Sequence, residues 1–177
     1  LVHFVGRKAM DIALADATVE QLYNEGLLKD PSDFYRLDRE TLLKLDRFAA
    51  KSAENLINSI EASKLVPFYR VLFAIGIRYV GETVAKTLAS RLKSMDVIEN
   101  STEEALTEVG EIGEVIAGSI RRFFSEPRNL EMIHRLKEAG LQFSVTGESA
   151  VVSQKLAGLS FVISGVFQRH SREEIQK

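Results

Sequence analysis

The chain has 177 residues, 45% hydrophobic and 27% charged, with 23 Lys+Arg against 25 Asp+Glu and no cysteine. It is too apolar for a disordered tail and has no run near the ~20 apolar residues of a membrane helix, and disulfides, thiol catalysis and cysteine-held zinc are excluded within it. His3, His134 and His170 are too scattered to suggest a metal site, and a net charge of −2 with pI ≈ 6.0 carries no bulk signature of a nucleic-acid binder. The chain begins at Leu1 with no signal-peptide pattern, so a piece of a longer protein of the reducing cytoplasm is expected.

Sparse Pro and Gly, and abundant Ala, Leu, Glu, Lys and Arg, favour helix over most of the length. In chain order, Gly26 stands where a helix ends in the left-handed conformation. Asp30-Pro31 offers an N-cap with Pro at the first helical position. Ser101 to Glu104 reads as a capping box with Ser101 at the N-cap and Glu104 at N3. Ser125-Glu126-Pro127 opens a further helix, and Gly140 closes it. The result is many short helices. Residues 146–154 read as a linker. After them, Leu159 to Gly165 is a short apolar run closed by glycine, which predicts a buried strand, and Arg172 begins a helical pattern. The expected organisation is a mainly α domain at 1–145, the linker 146–154, and the truncated start of an α/β domain at 155–177.

An internal repeat runs through the first part. Ala13-Leu14-Ala15, Arg47-Phe48-Ala49, Tyr79-Val80-Gly81 and Glu111-Ile112-Gly113 end 34, 32 and 32 positions apart. Each has a large apolar residue in the middle and Ala or Gly at the end. Four residues further on stand Val19, Ala53, Ala85 and Ala117, and seven further on Leu22, Leu56, Leu88 and Ile120, all on one helix face. Leu45, Ile77 and Val109 recur four residues before the last three ends. Each unit therefore reads as helix, tight hairpin, helix, with a small residue that lets the paired helices approach.

That pattern resembles the helix-hairpin-helix motif. A terminal Gly permits positive φ and close approach of another molecule. The helix that follows presents unpaired N–H groups and a positive dipole end, which together suit a phosphate oxygen. Such contacts go to the backbone of a nucleic acid and do not read its sequence. Local charge separates the units: residues 35–93 carry a net +5 and residues 1–34 a net −3, while residues 94–120 hold seven acids and no Lys or Arg. The candidate DNA contacts are Arg47, Ala49, Lys51, Arg78, Val80, Gly81, Thr83, Lys86, Gly113 and Val115. The middle two units are expected to contribute most, and the acidic stretch before Gly113 to face away from DNA or toward a basic partner.

Longer stretches resemble one family. His3 to Ile12 followed by Thr18 to Tyr23, Lys51 to Leu56, Ile60 to Lys64, and Leu72 to Thr83 with Ala85 are similar to the region after the zinc finger of bacterial NAD⁺-dependent DNA ligases. Leu156 to Gly158 and Phe161 to Arg172 are similar to the start of that family's C-terminal BRCT domain, where Ser164-Gly165 falls at a phosphate-contacting pair or, equally, at a strand-ending turn. The resemblance implies four tandem helix-hairpin-helix units of the SAM/RuvA-domain-2-like kind followed by a truncated BRCT segment. It implies a part of a ligase that seals nicks in duplex DNA during replication and repair, binding sequence-independently through minor-groove and phosphate contacts. Its partners would be nicked duplex and the catalytic and zinc-finger domains of the same chain, without a membrane, in a monomeric bacterial cytoplasmic protein. NAD, Mg²⁺ and Zn²⁺ are implied for the whole protein, but no cofactor for these residues: Lys-x-Asp-Gly and the zinc cysteines are absent, so the fragment is expected to be catalytically silent. The family usually has Gly where Ala13, Ala15, Arg47, Ala49 and Glu111 stand here. Since Ala is a poor substitute at positive φ, the first hairpin is expected to grip phosphate least.

The residues alone leave two other classes open. The repeat also suits the helix-hairpin-helix part of a repair nuclease or branched-junction binder. The acidic overall charge suits a helical protein-interaction module.

Overall fold

Helix propensity and frequent punctuation produce a succession of short helices. The computed structural model describes residues 1–45 and 48–145. In order these form α1 (Val2–Val5), α2 (Asp16–Asn24), a 3-10 turn (Pro31–Arg36), α3 (Arg39–Leu43), α4 (Ala50–Ser63), α5 (Phe68–Ala74), α6 (Glu82–Leu92), α7 (Met95–Asn100), α8 (Glu103–Thr107), α9 (Glu114–Ser125) and α10 (Pro127–Glu138). No strand forms among the described residues, which contain an isolated antiparallel bridge between Ser94 and Ser144. Arg47, the linker 146–154 and the BRCT-like stretch 155–177 with Ser164 and Gly165 lie outside the described residues.

Punctuation follows side-chain chemistry. Asp30 caps the 3-10 turn, accepting from the Ser32 N–H at 2.8 Å, while Asp33 reaches back to the Asp30 N–H at 3.1 Å. Gly26 and Gly140 take φ of 75° and 95°, and Pro127 is the first residue of α10. The capping box expected from Ser101 and Glu104 does not form: the N-cap moves on by one residue, and N3 becomes Ala105, which has no side-chain acceptor to reach back. Ser101 ends α7, with its hydroxyl donating to the Val97 carbonyl at 2.6 Å, so Thr102 instead caps α8 through the Ala105 N–H at 3.2 Å. The end of α7 claims the serine before α8 can use it.

The repeat positions are the core. Val19, Ala53, Ala85 and Ala117 are buried, as are Leu22, Leu56, Leu88 and Ile120. The small residue lets α3 pack on α4, α5 on α6, and α8 on α9. The N-terminal segment is fixed from a distance in sequence. α1 lies on α5, where the His3 Nε2 meets the Phe73 carbonyl at 2.9 Å and its ring stands edge-on to Phe73 at 4.6 Å. Arg70 on α5 donates to the carbonyls of Ala9 at 2.7 Å and Arg7 at 2.6 Å, holding the loop after α1. Phe4 stacks on Phe34 at 5.8 Å. At the other end, α10 packs on the 3-10 turn, with Arg135 bonded to Asp30 at 2.6 Å, and the Phe143 carbonyl accepts from the Met95 N–H at 2.8 Å. Leu1–Val145 form one compact unit.

Candidate nucleic-acid interface

The four repeat ends, Ala15, Ala49, Gly81 and Gly113, are the N-caps of α2, α4, α6 and α9. All are exposed, and none of these helices has a side-chain cap. The 3-10 turn, α3, α7 and α8, by contrast, are capped by Asp30, Asp38, Ser94 and Thr102. Replacing such a cap with Ala costs roughly 0.5–2 kcal/mol, so the second helix of every repeat unit forgoes stabilisation that these four elements use; α1, α5 and α10 also start without a side-chain cap. The N–H groups of Gly81, Glu82 and Thr83 have no acceptor among the described residues, nor do those of Gly113, Glu114 and Val115. Unsatisfied donors at a positive dipole end form an anion site without any side chain.

Backbone geometry corrects the reading of the terminal residue. Ala15, Ala49, Gly81 and Gly113 have φ of −75°, −72°, −77° and −82°, a range open to any residue. Alanine is therefore unstrained at the first two, and the expected weakness of the first hairpin has no basis in φ. Positive φ falls instead at the first residue of the triplet, 67° at Tyr79 and 71° at Glu111, and at Asp11 with 54°. A helix N-cap needs an extended residue, and the left-handed turn that reverses the chain comes two residues earlier. Cβ atoms built on Gly81 and Gly113 would meet nothing within 4 Å. Neither conformation nor internal packing demands these glycines, and the space beside them is open to another molecule.

Ala49, Lys51, Arg78, Gly81, Thr83, Lys86, Gly113 and Val115 are exposed. Val80 is 5% exposed and its N–H donates to the Ile77 carbonyl at 3.0 Å, so its side chain belongs to the core and its N–H is already used. Lys86 is not a free cation: its Nζ lies 2.7 Å from Glu82, over the Tyr69 ring at 5.2 Å. The Glu82 hydrogen bond raises the Lys86 pKa, and the Lys86 ammonium holds the Glu82 carboxyl below its ordinary range. Lys8 approaches Glu82 as well, at 3.6 Å. The Arg78 guanidinium sits 5.0 Å over the Tyr79 ring.

The third and fourth units interlock. The Ser119 hydroxyl on α9 donates to the Arg78 carbonyl of the third hairpin at 2.7 Å. One cleft is lined by Lys86, Ser90 and Arg91 of α6 with Gly110 and Glu111 of the fourth hairpin, and a second by Val115, Ser119 and Arg122 of α9 with Tyr79 of the third. Each unit's second helix thus faces the other unit's hairpin. Arg91 and Arg122, one per cleft, are not among the contacts expected from the sequence. They follow the repeat end by ten and nine residues, and only the pairing of the units brings them beside a hairpin. Among the described residues no cluster of His, Asp and Glu could hold a metal ion, and no helix is long and apolar enough to cross a membrane.

Residues 70–133 match the helix-hairpin-helix motif family, a span covering both interlocked units. Over 97% of its length the chain is 53% identical to a DNA ligase of Parabacteroides distasonis, and over 99% it is 49% identical to DNA ligases of Phocaeicola vulgatus and Flavobacterium psychrophilum. It spans about a quarter of the length of these curated relatives, 26% or 27% of each. Almost from end to end, then, this chain is similar to one contiguous quarter of the DNA ligases and carries a helix-hairpin-helix segment within it.

Proposed function

We propose that the chain is the non-catalytic DNA-binding part of an NAD⁺-dependent DNA ligase, with four helix-hairpin-helix units that hold nicked duplex through phosphate and minor-groove contacts. The observation that carries this reading is the set of four repeat helices starting on exposed Ala or Gly without a side-chain cap. A phosphate oxygen supplies the acceptor that each helix lacks. Binding is independent of sequence, because these donors meet only the backbone. It therefore needs fewer basic side chains than a basic arm, which fits a net charge of −2. The steps that use NAD⁺ and metal ions belong to the remainder of such a ligase, which acts in the bacterial cytoplasm, and the BRCT-like stretch 155–177 is the start of its next domain.

The test is a salt titration of binding to nicked duplex. Log affinity falls with log salt by about 0.9 per phosphate neutralised. Gly81→Ser and Ala49→Ser provide each helix with its own acceptor. Ala49→Ser is expected to gain about 1 kcal/mol in stability and Gly81→Ser a few tenths, and both are expected to bind about tenfold more weakly. Variants that are stabilised yet bind as the wild type does would remove the helix starts from the interface.

A further inference from the structure

The cleft between the third hairpin and α9 is of mixed character. Glu103, Glu114 and Arg122 line it, and its exposed surface includes two large apolar side chains, Tyr79 at 53% and Val115 at 68% exposure. The repeat requires neither. The residue equivalent to Val115, two after Gly81, is Thr83, and the residue equivalent to Tyr79 in the fourth hairpin is Glu111. Tyr79 also holds φ of 67°, a region that bulky residues avoid. Packing does not explain its retention, since half the residue is exposed and its ring contact is the Arg78 guanidinium beneath it. Glu111 holds a similar φ in the equivalent hairpin, so the turn sets the strain, and what is particular to the third hairpin is a large, half-exposed ring at that place. The ring and Val115 are held in place by two elements, because Ser119 of α9 ties down the Arg78 carbonyl next to Tyr79. Val115 is the second residue of α9 and Tyr79 lies two before the N-cap of α6, so the pair flanks two of the uncapped helix starts.

We propose, resting on the duplex-binding reading above, that Tyr79 and Val115 form an apolar contact to the deoxyribose edge of the minor groove, beside the phosphates taken by α6 and α9. Sugar C–H groups pack against a ring face and valine methyls, which offer a phosphate no hydrogen-bond donor. A ribose strand brings a 2′-hydroxyl to that edge, in a groove that is wide and shallow. Pressed on Tyr79 and Val115, the hydroxyl loses water without gaining a partner. The helix N–H groups cannot make this distinction, because phosphates are alike in DNA and RNA. The apolar pair therefore narrows the ligand to duplexes with deoxyribose in both strands.

The experiment measures binding of the 177-residue chain to a nicked DNA duplex and to the same nick in a DNA–RNA hybrid, each across a salt series. The wild type is expected to prefer DNA. Tyr79→Gly relieves the backbone and should be at least as stable by denaturant titration. It should bind DNA about tenfold more weakly with the salt slope unchanged, and its preference for DNA over hybrid should fall toward unity. Val115→Thr, which copies Thr83, should act in the same direction with a smaller loss. Glu111→Gly, the same relief in the equivalent hairpin, should keep the preference. Equal wild-type binding to both duplexes overturns the proposal, as does a Tyr79→Gly variant with unaltered affinity and preference while Gly81→Ser is weakened. A wild-type chain that binds neither duplex overturns this proposal and the functional reading together.

Discussion

A single dihedral distinguishes two residues that the repeat places side by side. Glu111 and Gly113 both stand where glycine suits a hairpin, yet Glu111 holds φ of 71° and Gly113 of −82°. An L-residue in the left-handed region costs roughly 1–2 kcal/mol. Glu111→Gly is therefore expected to stabilise the chain by about 1 kcal/mol, read as a rise in the midpoint of chemical denaturation, whereas Gly113→Ala, at an unstrained φ with open space, is expected to lose about 0.5 kcal/mol because alanine is a poorer N-cap than glycine. Glu82 makes a different case. It sits at the first position of α6 and holds Lys86 in a hydrogen bond, so it occupies both the dipole end and the cation that a phosphate would use. Glu82→Gln should strengthen binding to nicked duplex and steepen its salt dependence, at some loss of stability, because an acid in the first turn favours the helix. Binding unchanged by that variant would show that phosphate does not approach the start of α6.

Among the elements, the contrast between capped and uncapped helices carries more information than their number. Asp38 caps α3 and accepts from the Thr41 N–H at 2.7 Å; that bond holds its carboxyl below the usual range. The Glu104 carboxyl is likewise lowered, first by its own backbone N–H and then by Thr102. Folded-state values below the unfolded ones contribute stability that is complete above the ordinary carboxylate range and is lost as pH falls through the lowered values. The repeat helices α2, α4 and α9, which start without a cap, have no such acid-sensitive caps. The loop after α1 is held by the side chain of Arg70 on α5, while α1 itself packs on Phe34 and Phe73. Arg70→Ala removes both hydrogen bonds to the 7–9 loop and is expected to cost about 2 kcal/mol. Hydrogen exchange should show the opening concentrated in residues 1–12, and a uniform loss of protection across the unit would argue against a local clamp.

At the scale of the whole molecule, the 3-10 turn and α4 meet at Tyr35. The Ser63 hydroxyl donates to the Ile60 carbonyl at 2.6 Å, so Tyr35 must donate to the Ser63 oxygen at 2.8 Å. Burial raises the Tyr35 pKa from 10.0 to about 12. A raised folded-state value leaves stability untouched below pH 10.0 and removes it as pH climbs toward 12. Tyr35→Phe should flatten that alkaline decline in the denaturation midpoint, at the cost of leaving Ser63, 2% exposed, without its donor. An equally steep decline in the variant would assign the alkaline loss to other groups.

The core was legible because its signal is periodic and local: Ala53, Ala85 and Ala117, with Leu56, Leu88 and Ile120, recur at fixed distances from each repeat end and are all buried. The repeat ends were legible as helix starts for the same reason. The sequence by itself determined the helices, the close pairing that small residues permit, and the four uncapped N-termini, since each depends on a few consecutive residues and on helical spacing. The Lys86–Glu82 pair, four residues apart on α6, is local as well. Tertiary structure decided that Val80 is spent on the core, and that Arg91, Arg122, Tyr79 and Val115 stand across clefts from neighbouring units. Those outcomes depend on how one unit docks on another, through contacts such as Ser119 to Arg78, 41 residues apart, and Arg70 to Ala9, 61 apart. Side-chain competition over such distances has no counterpart in a local pattern.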